Sequence, residues 1–321
     1  MWLYVVAAAL VAAAAVYAIV VLFSHTPRRP FPEEETYETN DGQGRVHPLP
    51  PRAQPGDAKS TSAGDVELSV VIPCYNEIDR LGAMLDECVP WLQHHPRGFE
   101  VVIVDDGSSD GTGAYALEKA TELKLKPGQM RVVTLTKNRG KGGAVTHGML
   151  HARGDYVLFA DADGATQFKD AEKLLQWLRD QPSHRGAVAV GSRAHMVNTD
   201  AVVKRSFIRN FLMYGLHTLV YVFGIRDVKD TQCGFKMFNR KAVTEIFPHM
   251  HTERWIFDVE VLILAERQQM PVEEIAVTWH EISGSKVDLA RDSINMAIDL
   301  VVTRLAYLLG VYTIRDAKKD L

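Results

Sequence analysis

Cysteine is scarce. The chain has three, Cys74, Cys88 and Cys233, an odd number at wide spacing. Small secreted domains are stapled by even sets of cysteines and zinc ribbons use close pairs, so both are excluded. No Asn-x-Ser/Thr sequon occurs, which points away from a lumenal or secreted body. Positive charge is in slight deficit, with 36 Lys plus Arg against 40 Asp plus Glu and a formal charge of −4. That balance does not fit a general nucleic-acid binder. A composition that is 46% apolar and 24% charged excludes a disordered chain, a fibrous repeat and a multi-span transporter. The 321 residues suffice for one large α/β domain with accessories, or for two small domains.

What is present starts with a membrane signal. Trp2 to Phe23 is free of charge and of proline over 22 residues. As a helix it spans about 33 Å, enough for a bilayer core of about 30 Å. A cleaved signal peptide would carry a basic start, a shorter apolar core and a small-residue cleavage site, none of which is seen. Arg28, Arg29, Arg45, Arg52 and Lys59 follow it. The positive-inside rule then places everything after residue 24 in the cytosol. Residues 24–66 hold seven of the 14 prolines and no hydrophobic period. They read as a Pro-rich linker or membrane-hugging tether. A globular domain is expected from 67 to 285, and a C-terminal amphipathic helix and tail from 286 to 321.

From Leu68 onward, short β-branched runs alternate with helical spacing. Strands are expected near 68–73, 100–104, 131–135, 156–160 and 187–191, with helices between them. This march predicts an α/β fold with a mostly parallel central sheet and right-handed crossovers. Ligands of such sheets bind at the carboxyl ends of the strands. Asp105 and Asp106 end the second run; Asp161 and Asp163 follow the fourth. Paired carboxylates without nearby His or Cys suit a hard divalent cation, Mg²⁺ or Mn²⁺, bridging a diphosphate. The same Asp-Gly steps would also serve as turns and helix caps. Asn138-Arg-Gly-Lys-Gly-Gly143, between a strand and a helix, lets the backbone approach a phosphate, with Lys141 as a point charge. Its spacing is neither that of a Walker A loop nor that of a dinucleotide fingerprint.

Three blocks carry a family resemblance. Ser69-Val-Val-Ile-Pro-Cys-Tyr-Asn-Glu77, Val104-Asp-Asp-Gly-Ser-Ser-Asp-Gly-Thr112 and Asp161-Ala-Asp163 resemble the signature blocks of inverting family-2 glycosyltransferases over roughly residues 66–285. That family has the GT-A fold and uses nucleotide-diphosphate sugars. Asp230-Thr-Gln-Cys-Gly-Phe-Lys236 and Arg254-Trp-Ile-Phe-Asp-Val-Glu260 are similar to its members that act on a lipid phosphate. The resemblance implies UDP-glucose as donor, dolichyl phosphate as acceptor, and the cytosolic face of the endoplasmic reticulum membrane as the location. GDP-mannose is the rival donor, and a non-catalytic sugar-nucleotide or lipid-binding module is the rival class. Pro73, Tyr75 and Glu77 would frame base and ribose, and Asp105, with Asp106, would meet the uracil. Lys141 would face the nucleotide, Asp161 and Asp163 would hold ribose and metal, and Gln232 would line the donor pocket. Where relatives often keep a further polar ligand, this chain has Ala165, with Thr166 next.

The acceptor side follows from chemistry. A phosphate oxygen already anionic near neutral pH needs cations to align it, not a strong base. Arg193 and Arg205 are the expected clamp, because Arg matches phosphate bidentately. Lys204 and Arg209 lie nearby. Asp258 stands where the family often keeps a catalytic carboxylate, and orientation rather than proton abstraction is its expected task here. Residues 203–224 and Arg291 to Ile314 have the spacing of amphipathic helices for a membrane surface or for the core. The terminal Lys318-Lys319 resembles a dilysine retrieval signal.

Overall fold

The structure, a computed structural model, describes residues 1–57, 66–95, 97–196, 225, 228–282 and 289–314. In chain order its first elements are α1 (Trp2–Phe23), β1 (Thr36–Glu38), β2 (Val46–Pro48), β3 (Leu68–Cys74), α2 (Ile78–Gln93), β4 (Phe99–Asp105), α3 (Thr112–Glu122) and β5 (Met130–Thr134). There follow α4 (Lys141–His151), β6 (Tyr156–Ala160), α5 (Ala171–Arg179), β7 (Val188–Ser192), β8 (Phe235–Asn239), α6 (Arg240–Ile246), α7 (Phe257–Arg267), β9 (Val272–Ala276) and α8 (Leu289–Leu308).

The strands form a nine-stranded sheet in the order β2-β1-β5-β4-β3-β6-β8-β7-β9. Its centre, β5-β4-β3-β6, is parallel. These strands are buried on both faces, which is why their sequences are continuous apolar runs rather than alternating ones. Around this centre the sheet is mixed. β8 runs antiparallel between β6 and β7, and β1 runs antiparallel to β5. One face is covered by α2, α3 and α5 through residues such as Leu85, Ala116 and Leu174. The other is covered by α4, α6, α7 and α8 through Met149, Val243, Leu262 and Leu300. Each Leu or Val fully buried in these layers contributes about 1.5–3 kcal/mol.

The tether reading of residues 24–66 is corrected for residues 24–57. This stretch lies on the globular domain. Glu34 is fully buried and receives Arg28 (Nη1 at 2.7 Å), the Phe31 amide (2.9 Å) and the Thr136 amide (2.9 Å). β1 pairs with β2 and, at Glu38, with Val132 of β5. Further on, the Ala53 amide donates to Leu150 at 2.7 Å. Backbone groups and polar side chains, among them Glu34, Thr39 and Asn40, make most of this attachment, so no hydrophobic period announces it.

α1 is apolar throughout and exposed apart from Val20, as a membrane-spanning helix is. α8 packs beside it, with Asp299 meeting His25 at 3.1 Å. One face of α8 covers the core through Leu300 and Ala306, while Ile294, Ile298 and Leu308 remain exposed. The helix stops at Leu308, before Gly310 at φ +74°. The expected amphipathic stretch at 203–224 and the Lys318-Lys319 pair lie outside the described residues.

Candidate active site

The two longest signature blocks are hydrogen-bonded to each other. Past the end of β3, Asn76 adopts φ +53°, a left-handed conformation that Asn tolerates. Its amide donates to Ser108 Oγ at 2.8 Å and its Oδ1 accepts from the Ser109 amide at 2.8 Å. The Glu77 amide donates to Thr112 Oγ1 at 2.8 Å. The turns after β3 and β4 therefore form one platform at the carboxyl edge of the sheet. Pro73 is half-buried at the end of β3 and Tyr75 is exposed on this edge. Asp105 is buried, and its Oδ1 accepts from the Ser108 amide at 2.9 Å.

Asp106 has a different task from its neighbour. Its Oδ1 accepts from the Arg139 amide (2.7 Å) and its Oδ2 from the Gly140 amide (2.8 Å). It thus fixes the glycine loop. Burial pushes its carboxyl up to about 7, against the pull of those two amides. Gly140 is required here. Its φ is +85°, and a Cβ would come within 2.6 Å of the Glu253 carbonyl oxygen.

Lys141 opens α4 and reaches Asp161 Oδ1 at 2.7 Å. Burial works to lower its pKa, but the charges of Asp161 and Asp258 prevail and raise it. The Asp161 amide donates to the Gly234 carbonyl at 3.0 Å, which ties the end of β6 to the entry of β8. A Cβ at Gly234 would collide with the Asp161 carboxylate, so glycine is needed there. Asp163 accepts from the Ala165 amide at 3.0 Å and lies 4.0 Å from Arg80. Burial, then the charge of Asp161, raises its pKa. Arg80 also forks onto Glu77, with Nε to Oε2 at 2.8 Å and Nη2 to Oε1 at 2.7 Å. Glu77, Arg80, Asp163, Asp161 and Lys141 therefore form one row of charged groups, with a cation on each side of the acidic pair. Asp161 and Asp163 line a small cleft together with Glu87 and Thr166, so Thr166 does stand beside the acidic pair.

Asp258 lies deeper. It is buried in the first turn of α7 against Lys236 of β8, whose Nζ also donates to the Cys233 carbonyl at 2.7 Å. Burial raises the Asp258 pKa, with Lys236 and Lys141 opposing. Its contacts run to those lysines rather than to the cleft at Asp161 and Asp163. Arg193 follows β7. It forks onto Asp230, with Nε to Oδ2 and Nη2 to Oδ1 both at 2.8 Å, and lies over the Trp279 ring at 5.4 Å. Burial would lower its pKa, but Asp230 outweighs this and raises it. Its charge is already answered, and its outer edge is what a ligand would meet. Gln232 is half-buried in the turn before β8. Arg205, with Lys204 and Arg209, lies outside the described residues.

Sequence reasoning missed Arg80, Asp230 and Lys236 as partners. The first had a signal, the i,i+3 spacing to Glu77 in the first turn of α2. The other two pair across 37 and 22 residues, which no local pattern reveals.

A carboxylate row at strand ends, a cationic glycine loop and an acidic pair two residues apart are the parts of a nucleotide-sugar transferase. Residues 69–247 match the family model described as glycosyl transferase family 2, and the chain belongs to that family. Within it, the chain is 54% identical to the dolichyl-phosphate beta-glucosyltransferase of Saccharomyces cerevisiae, over 94% of this chain and 92% of that one. It is 41% identical to the human dolichyl-phosphate beta-glucosyltransferase, over 99% and 97%. Among solved structures, mannosyl-3-phosphoglycerate synthase from Rubrobacter xylanophilus superposes with a TM-score of 0.51 at 20% identity, covering 76% of this chain and 75% of that one. That likeness concerns the fold alone, and the fold is GT-A.

Proposed function

We propose that this chain transfers glucose from UDP-glucose to dolichyl phosphate with inversion, forming dolichyl β-D-glucosyl phosphate. The reading includes a location at the cytosolic face of the endoplasmic reticulum membrane, with α1 as the single anchor. The observation that carries it is the charge row Glu77–Arg80–Asp163–Asp161–Lys141 at the carboxyl edge of the parallel strands. The named relatives supply the sugar and the lipid; the row supplies a place for a diphosphate.

The acidic pair fits a hard divalent cation. Asp161 and Asp163 offer only oxygen, both are partly exposed, and the charge of the first raises the pKa of the second. Mg²⁺ and Mn²⁺ take one or two carboxylates and leave positions for phosphate oxygens and water. Such an ion would neutralise charge on the departing diphosphate.

The remaining work falls to the chain's own residues. Pro73, Tyr75 and Asp105 border the base, and Asp106 keeps the glycine loop in place. Lys141 and Arg80 flank the acidic pair and hold it in one orientation. Asp258 pairs with Lys236 and, with Asp161, helps to keep Lys141 charged beneath the site. Arg193, already oriented by Asp230, presents its remaining N–H groups to the acceptor phosphate, with Arg205 as the expected second cation. The acceptor oxygen attacks the anomeric carbon as the bond to the UDP oxygen breaks on the opposite face, so no proton has to move. Proton NMR of the product tests this. A β-anomer from α-linked UDP-glucose is expected, and an α-anomer overturns the in-line mechanism.

A further inference from the structure

A second basic groove lies where the membrane helix ends. Its volume is about 360 Å³, and it shares no lining residue with the cleft at Asp161 and Asp163. His25 and Arg28, two and five residues beyond the end of α1, form one wall. Lys137 and Arg139 form the second, and Glu253 and Arg254 the third. The charges do not cancel. Arg139 is answered by Glu253, with Nε at 2.8 Å, and Arg28 by the buried Glu34. Lys137 and Arg254 have no carboxylate within ion-pair distance among the described residues, and both are exposed. His25 is paired with Asp299, which raises its pKa against burial.

The walls are also rigid. Arg139 Nη2 donates to the Arg28 carbonyl at 3.0 Å, and an Arg28 Nη2 donates to the Lys137 carbonyl at 3.1 Å. The His25 amide donates to Tyr312 Oη at 2.5 Å, and the Tyr312 ring stacks on His251 at 3.7 Å. A preorganised groove with two spare cations, directly under an apolar helix, has the chemistry of a phosphate site at a bilayer surface.

We infer that this groove binds the phosphate headgroup of an anionic phospholipid, which seats the domain against the membrane. The inference rests on the reading of α1 as the anchor. The bilayer is the favoured source of the phosphate because His25 and Arg28 stand within two turns of chain from Phe23. In addition, α8, whose Asp299 touches His25, leaves Ile294 and Ile298 exposed.

Full-length protein reconstituted with phosphatidylcholine and a minority of phosphatidylinositol, then measured by native mass spectrometry, tests this. Retention of phosphatidylinositol in preference to phosphatidylcholine is expected. The Lys137→Ala, Arg254→Ala double variant should retain about tenfold less, the effect of losing one charge-assisted hydrogen bond or more. Lys137→Arg should retain it as the parent does. Melting temperature checks that each variant is folded, and neither residue touches the Asp161 cleft. Equal retention of the two lipids, or unchanged retention by a folded double variant, overturns the inference. So does displacement by glycerol 3-phosphate, which would mark a site for soluble phosphate, or by UDP, which would join the groove to the donor site. Alkaline carbonate extraction tests the anchor separately: release of the chain refutes the reading of α1 without bearing on the groove's affinity.

Discussion

Asp163 is a carboxylate held where its charge is unwelcome, since burial and Asp161 both raise its pKa. Groups kept in that condition at a strand end await a cation. Asp163→Asn keeps the shape and removes the charge. Transfer should fall by about 10²–10³-fold in kcat, the scale of losing one preorganised electrostatic group, with no loss in melting temperature. Retained transfer would remove Asp163 from the metal site. Arg193 is a second case, because its pair with Asp230 has both a structural and a chemical side. Arg193→Ala leaves Asp230 without its counterion and should cost about 1–3 kcal/mol in urea unfolding. Adding Asp230→Asn should restore most of that stability but not the acceptor KM or kcat. Recovery of both would make Arg193 structural only. The acidic pairs, Lys141 and Arg193 were legible from residue type and position after a strand. Of their partners, Arg80 had only its i,i+3 spacing to Glu77, while Asp230 and Lys236 are recognisable only once the chain has brought them together.

At the level of elements, the parallel strands were legible because strands buried on both faces must be continuous apolar runs. Leu68–Cys74, Phe99–Asp105 and Tyr156–Ala160 appear where that rule places them. β8 escaped because Lys236 interrupts its apolar run, a break that Asp258 makes tolerable. β9 escaped because it is an edge strand carrying Glu273 and Glu274. β1 and β2 escaped because three residues each are too few for a period. The docked segment they belong to makes a prediction. Removing residues 2–23 should leave the melting temperature nearly unchanged, because almost nothing in α1 is buried. Removing residues 2–57 discards the Glu34 contacts and the β1 pairing. A loss of about 3 kcal/mol, or roughly 6–12 °C, is expected by calorimetry. Equal melting temperatures would show that the segment only rests on the domain.

For the whole molecule, the same junction governs acid stability. His147 is pushed down to about 3, first by burial and then by His151, and its Nε2 meets the Glu34 carbonyl at 2.8 Å. It stays neutral in the fold while the unfolded chain takes up a proton near 6.5. Its contribution is therefore complete above that pH and is lost as the pH falls toward 3. Glu34 acts in the same direction at lower pH. Burial alone would raise it, but Arg28 and the Phe31 amide hold it down at about 2, so its contribution fades between 4.5 and 2. Asp106, raised to about 7, works in the opposite direction and loses its contribution as the pH rises through that value. Across pH 4.5–6.5 His147 and Asp106 oppose each other, so the test is by difference: the urea-unfolding stability of His147→Asn should fall less, or rise more, with acid than that of the parent. An unchanged slope would place the acid sensitivity elsewhere.

The central claim is that this fold moves glucose from UDP-glucose to dolichyl phosphate. The direct measurement is transfer by the purified full-length chain in detergent with dolichyl phosphate and Mg²⁺, offered UDP-glucose or GDP-mannose. Product from UDP-glucose alone, lost on chelation, is predicted. Product from GDP-mannose instead would contradict the assignment of base and sugar.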